Sequence, residues 1–274
     1  VRHIDEAKQV PWQYLFTRGI VIFLILNLFL YLEEGNDFIK NYTKIGISGA
    51  IGGVGLGVAM ITFIYSITNT SAAITLLCLA AMPFITALLG FLFLKETISV
   101  NVWIAIIIAA VGIIIMAIDN TSKNTFTGLI FGIASSVGFS IFSISLRWRK
   151  ETPKFTTVAI AGLFCCFFSA AMIIFSDLNF LSTGKNQALF ATHGTLVCIG
   201  LILYSIGSKN IPAAELTLLS LTEVIGGIFW VWIPILGVNE VPSQGTVIGG
   251  FFIFISIIYY SLIIRSNRRF IGLN

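Results

Sequence analysis

Two carboxylates stand in an otherwise uncharged stretch, "IPAAELTLLSLTEVIGGIFWVWIPIL" at residues 211–236: Glu215 and Glu223, eight residues apart. The stretch is long and apolar enough to cross a bilayer. Counted as a helix, it places Glu223 roughly 12 residues in, about 18 Å deep at 1.5 Å per residue. An ionised carboxylate facing lipid there costs at least ~2.5 kcal/mol. A polar interior, a bound proton or a paired cation each avoids that cost. The chemistry open to Glu223 is therefore an interhelical hydrogen bond from a neutral acid, or contact with a solute and exchange of a proton. The second reading is favoured. Ser220 lies one turn earlier on the same face, and Gly226 and Gly227 leave room beyond it. Glu215 differs, because it falls about four residues into the helix, where the N-terminal dipole favours negative charge. With Pro212 at the helix start, it reads as an interfacial cap, with a gating role behind it.

No enzyme constellation accompanies these acids. His3 sits in a polar leader, and His193 at a helix start reads as an interfacial histidine. There is no HExxH, no GxxxxGK[ST] and no paired-cysteine motif, so no cofactor and no metal are expected. Cys78, Cys165, Cys166 and Cys198 lie in apolar runs and read as small buried hydrophobes. The glycine-rich "GISGAIGGVGLG" (46–57) lies inside a span, and Gly49, Gly53 and Gly57 share one helix face. Close helix packing explains it better than phosphate binding.

What must position Glu223 is a membrane fold. Hydrophobic residues make up 57% of the 274 and charged residues 10%, with mean hydropathy +0.98, whereas soluble domains are about 25% charged. Lipid is the solvent, and the net charge of +4 is no nucleic-acid signal. Nine runs are long enough to span: 12–32, 45–66, 70–94, 100–118, 127–147, 156–176, 190–207, 212–236 and 245–264. None alternates as a barrel strand would. The expected fold is all-α and polytopic. Its longest extramembrane connections are 33–44 and 176–187.

Charge orients the bundle. If the first run descends inward, eleven Lys and Arg fall inside and four outside, with Arg18 in the first span. The C-terminus is then cytoplasmic. A tenth span upstream of Val1, lining one side of a central cavity, is expected if the intact protein starts in the cytoplasm.

The chain also repeats itself. Tyr65-Ser66-Ile67 pairs with Tyr204-Ser205-Ile206, Ala72-Ala73 with Ala213-Ala214, and Thr75-Leu76-Leu77 with Thr217-Leu218-Leu219. Lys95-Glu96 ends the first copy's helix on the inside, and Asn239-Glu240 ends the second copy's outside. Two inverted halves are the architecture of transporters that alternate access around a midplane site. The halves are expected at 1–120 and 126–265, with a tail at 266–274.

"SAAITLLCLAAMPFITALLGFLFLKETIS" (71–99), with Pro83 inside the helix and Lys95-Glu96 at its end, resembles the EamA-type signature of the drug/metabolite transporter superfamily. "IPAAELTLLSLTEVIGGIFWVWIPILGVNEVPSQGTVIGG" is similar to the second EamA repeat. The resemblance implies ten helices in two inverted five-helix repeats. Two departures stand out: Val224 replaces the usual proline, and the Glu223–Glu240 interval is about three residues long by the family's pattern. The family's central cavity maps here onto Tyr65, Met82, Tyr204 and the cluster "ASSVGFSIFS" (134–143), where Ser136, Phe139 and Ser140 fall at helical spacing. A packing face suits that cluster as well as a pocket wall does. Positions matching Glu223 in the first repeat, Ala81 and Met82, are apolar. Arg18 is expected to snorkel, and Trp103, Trp230 and Trp232 to anchor at interfaces.

The function expected is secondary transport of a small organic metabolite across an inner or plasma membrane by alternating access. An amino acid or similar amphipathic solute is the first candidate, with export favoured over uptake. The alternatives are a facilitative exchanger of an anionic metabolite such as a nucleotide conjugate, and a non-transporting scaffold. The exchanger would want Lys or Arg in the cavity, and no span centres one. The partners expected are the metabolite and the lipid bilayer, with a homodimer left open and nucleic acid excluded.

Overall fold

In a computed structural model, the structure describes residues 4, 9–95, 100–119, 123–149, 151–208, 223, 226–227, 230, 233 and 241–270. The described elements are helical. α1 (Pro11–Glu34) begins on a proline, whose fixed φ and missing N–H suit a first turn, and stops at Gly35 with φ +61°. A 3-10 turn (Gly35–Phe38) and α2 (Ile39–Lys44) follow. The polar connection at 33–44 is therefore helical rather than a loop, with an exposed Lys40–Asp37 ion pair at 2.7 Å.

α3 (Gly46–Asn69) leads into α4 (Ala72–Leu79), which Ser71 caps by accepting from the Ile74 N–H. A turn at Ala80 and Ala81 separates α4 from α5 (Met82–Leu94). Pro83, in the first turn of α5, cannot donate back to α4, so this span is broken mid-way. Lys95, with φ +56°, closes α5. Then come α6 (Val100–Asp119), α7 (Lys123–Trp148), α8 (Lys154–Phe175), α9 (Gly184–Gly207) and α10 (Gln244–Phe270).

Among the described residues, seven helical stretches are long and apolar enough to cross a bilayer, and Trp103–Met116 in α6 is a shorter apolar one. These account for eight of the nine apolar runs. The ninth, 212–236, lies outside the described residues except for five isolated positions. Large apolar side chains point outward, among them Leu24, Leu28, Leu32, Phe167 and Ile174. Ser48, Ser66, Ser136, Ser140 and Thr156 are buried instead. That inside-out polarity suits a protein solvated by lipid.

Glycine lets the helices approach closely. A Cβ on Gly55 would lie 3.0 Å from the Gly138 carbonyl, and one on Gly138 would lie 2.5 Å from the Gly55 carbonyl. α3 and α7 thus meet backbone to backbone. Gly19 and Gly162 meet in the same reciprocal way between α1 and α8, as do Gly112 and Gly249 between α6 and α10. The Gly49, Gly53 and Gly57 face packs on α8, against Thr157, Ile160 and Phe164. Cys78, Cys165 and Cys198 are buried in this packing.

Candidate functional site

The helix packing leaves a cavity of about 370 Å³. From α3 come Leu56, Ala59, Met60 and Phe63, and from the α4–α5 break Leu79 and Met82. α7 contributes Ser135 and Phe139. α9 supplies His193, Leu196, Val197, Gly200, Leu201 and Tyr204, one helical face that extends about 16 Å along the axis. Arg18 of α1 and Glu223 complete the lining. The wall opens along α9, where Leu196 is 62% exposed.

Polar groups collect at two places. Midway along α9, and not at a helix start as expected because the helix begins at Gly184, Tyr14 Oη is hydrogen-bonded to His193 Nδ1, and Arg18 is beside them, with 5% of its surface exposed. Gly194 admits this contact, since a Cβ there would lie 3.3 Å from the Arg18 Cα. Arg18 does not snorkel. Gly19 presses α1 onto α8, which turns residue 18 toward α9 and the cavity. Glu223 lines the cavity and keeps an exposed surface.

Toward the end of α9, Tyr204 and Ser143 are hydrogen-bonded at 2.8 Å. Ser143 also donates to the Phe139 carbonyl at 3.0 Å. A serine has one proton to give, so Tyr204 is the donor to Ser143 and keeps its oxygen lone pairs for another partner. The Phe139 and Phe142 rings fix the tyrosine, at centroid distances of 5.2 and 6.0 Å.

Across the break, Ser136 Oγ donates to the Cys78 carbonyl at 2.7 Å, and Ser140 Oγ to the Met82 carbonyl at 3.2 Å. Two successive turns of α7 thus hold both sides of the discontinuity. Broken helices beside a cavity, satisfied by neighbouring side chains, are a transporter device.

Residues 6–118 match the EamA-like transporter family. Two proteins of Helicobacter pylori, from strains J99 / ATCC 700824 and ATCC 700392 / 26695, are each described as "Uncharacterized transporter". Each is 26% identical to this chain over 230 residues, covering 80% of this chain and 76% of its own. A protein of known crystal structure shares the fold, with a TM-score of 0.61 at 16% identity over 92% of this chain and 88% of its own. The chain is a multi-pass membrane transporter and not an enzyme.

In this chain the cavity brings together Glu223, Tyr204, Met82 and Phe139 of the residues singled out in the sequence. It does not bring in Tyr65, Ser136 or Ser140. Tyr65 packs between Trp12 and Phe131, at 5.0 and 5.4 Å between ring centroids. Ser220, Glu215 and Trp232 lie outside the described residues. Trp103 and Trp230 are exposed, at 39% and 51%. Sequence reasoning missed Arg18 and His193 as lining residues. Gly19 and Gly194, small residues beside each, are the signal that could have found them.

Proposed function

We propose that this transporter moves a small amphipathic metabolite, an amino acid or a close analogue, outward across an inner or plasma membrane by alternating access. The cavity carries the reading. It combines an acid, a cation and a hydrogen-bonding tyrosine with an apolar wall, the usual composition of a small-molecule site. The broken span at Ala80–Ala81 and the smooth glycine contacts supply elements that can tilt around it.

The reciprocal glycine pairs support an inverted-repeat organisation with halves at 1–120 and 126–265. A pseudo-two-fold axis through a helix crossing makes each partner present the same kind of surface to the other. Gly19 with Gly162, and Gly112 with Gly249, meet that requirement. On this reading 212–236 is a ninth span and the C-terminus is cytoplasmic.

The anionic-metabolite exchanger gains one observation, because Arg18 stands in the cavity after all. Glu223 on the same wall argues against a polyanion. The two charges cancel, which favours a solute that is itself neutral overall.

Counterflow in proteoliposomes tests the reading. Vesicles loaded with about 10 mM unlabelled L-leucine, roughly tenfold above the upper end of ordinary KM values, should transiently accumulate external labelled L-leucine above the protein-free level. Accumulation equal to that of empty liposomes, for leucine and for a panel of other amino acids, would remove the amino-acid assignment.

A further inference from the structure

We propose that Arg18 is the carboxylate-binding group of the cavity and that the solute is a zwitterion, its carboxylate on Arg18 and its ammonium toward Glu223. The inference rests on the cavity being the solute site, and it adds to that reading a named recognition group.

Position comes first. Arg18 is 5% exposed and lines the cavity, so its charge is held inside the bundle. The backbone on either side cannot retreat. A Cβ at Gly19 would lie 2.7 Å from the Gly162 carbonyl, and α9 approaches the Arg18 Cα at Gly194. α1 is therefore clamped between α8 and α9 at this residue.

Hydrogen bonding comes next. A guanidinium has five N–H donors and no acceptor. Nε and Nη1 of Arg18 are buried and have no hydrogen-bond partner. Leaving charged donors buried and unpaired is strongly unfavourable, and structures rarely keep such an arrangement unless something else occupies those donors. The titratable groups near it are Tyr14, Cys165, His193 and Glu223. Tyr14 and His193 are already joined to each other, and Cys165 Sγ–H donates to the Leu15 carbonyl. The Tyr14 oxygen can accept one hydrogen bond from the guanidinium, and among the described residues nothing accepts from Nε or Nη1.

Chemistry then selects the ligand. A planar carboxylate matches the guanidinium fork in shape and charge, and such charge-assisted bonds are the strong ones. Arg18 and Glu223 act on each other electrostatically across the site. A zwitterion placed between them leaves no uncompensated charge, whereas a polyanion or an amine alone leaves one. The remaining wall, with Leu56, Met60 and Phe139, suits an aliphatic or aromatic side chain.

Four solutes that share leucine's isobutyl group test this in proteoliposomes of the full chain: L-leucine, L-leucinamide, 4-methylpentanoate and isoamylamine. In the wild type, L-leucine should be moved at least about 30-fold better than L-leucinamide, the loss typical of truncating one partner of a buried charge pair. Arg18→Met should cost leucine transport a similar factor and bring the leucine-to-leucinamide ratio close to one. Gel filtration and thermal unfolding check that the variant is folded. If Arg18→Met does not fold, Arg18→Lys carries the test. It should lower leucine transport about tenfold while keeping the preference for the acid, because the charge stays and the fork is lost. Unchanged leucine transport in a folded Arg18 variant, or a leucine-to-leucinamide preference that survives Arg18→Met, overturns the proposal and leaves the cavity as a transport site. Preferred movement of isoamylamine or leucinamide by the wild type overturns it in the same way. If the wild type moves none of the four and none of the other amino acids in the counterflow panel, the proposal and the amino-acid reading fall together.

Discussion

The same three residues, Tyr-Ser-Ile, occur at 65–67 and at 204–206, and their tyrosines end in different surroundings. Tyr65 is packed among rings, between Trp12 and Phe131. Tyr204 stands in the cavity wall with its hydroxyl given to Ser143. On the proposed two-repeat reading, the backbone pattern was kept in both halves while the side chains around it diverged. A symmetric skeleton can rock between two arrangements, and an asymmetric lining is what a solute with two unlike ends requires.

The harshest way to break the comparison is to separate the helices that frame both tyrosines. Gly138→Val would drive a side chain into the Gly55 carbonyl and the Ala59 backbone N–H. Overpacking costs roughly 1–3 kcal/mol where side chains can move aside, and backbone cannot. The expected outcome is loss of the monodisperse peak in gel filtration. A folded Gly138→Val protein would show that α3 and α7 are not held by this contact.

A gentler substitution sharpens it. Tyr204→Phe removes one hydroxyl, and Ser143 keeps its bond to the Phe139 carbonyl, so stability should fall by less than about 1 kcal/mol. Apparent solute affinity should weaken about 2- to 10-fold, the range of one neutral hydrogen bond. Tyr65→Phe, remote from the cavity lining, should leave affinity unchanged. Equal effects from the two substitutions would erase the distinction drawn here.

Much of the skeleton was legible in the sequence because lipid enforces simple rules. Apolar runs of spanning length gave the helices. Pro83 was read inside one continuous span, and the break before it at Ala80–Ala81 emerges only in the structure, where a residue with no N–H cannot continue the ladder. The spacing of Gly49, Gly53 and Gly57 marked a tight contact. The helical character of 33–44 was hidden by its polarity, which in one dimension looks like a loop.

The cavity was harder to read. Leu56, Met60, Leu196 and Leu201 are as apolar as any lipid-facing residue, so hydropathy cannot separate a pocket wall from the bilayer side. Ser136 and Ser140 looked like solute contacts or packing residues. Their hydroxyls are aimed at the Cys78 and Met82 carbonyls, a partnership visible only once the break and α7 are side by side. Arg18, near a helix end, invited the snorkelling reading. Only the crossing of α1 with α8 and α9 turns it inward, and crossings are a property of pairs of helices.

The central claim is that the solute binds in this cavity and that Glu223 exchanges a proton with it there. Counterflow of L-leucine measured from pH 5 to pH 8 in wild type, Glu223→Gln and His193→Gln tests it most directly. Glutamine keeps the shape of the acid and removes its titration, while His193→Gln removes the imidazole on the same wall. The account predicts pH-dependent transport in the wild type and in His193→Gln, and a flat profile in a folded Glu223→Gln protein. Glu223→Gln transport that follows the wild-type pH profile at the wild-type rate would contradict it.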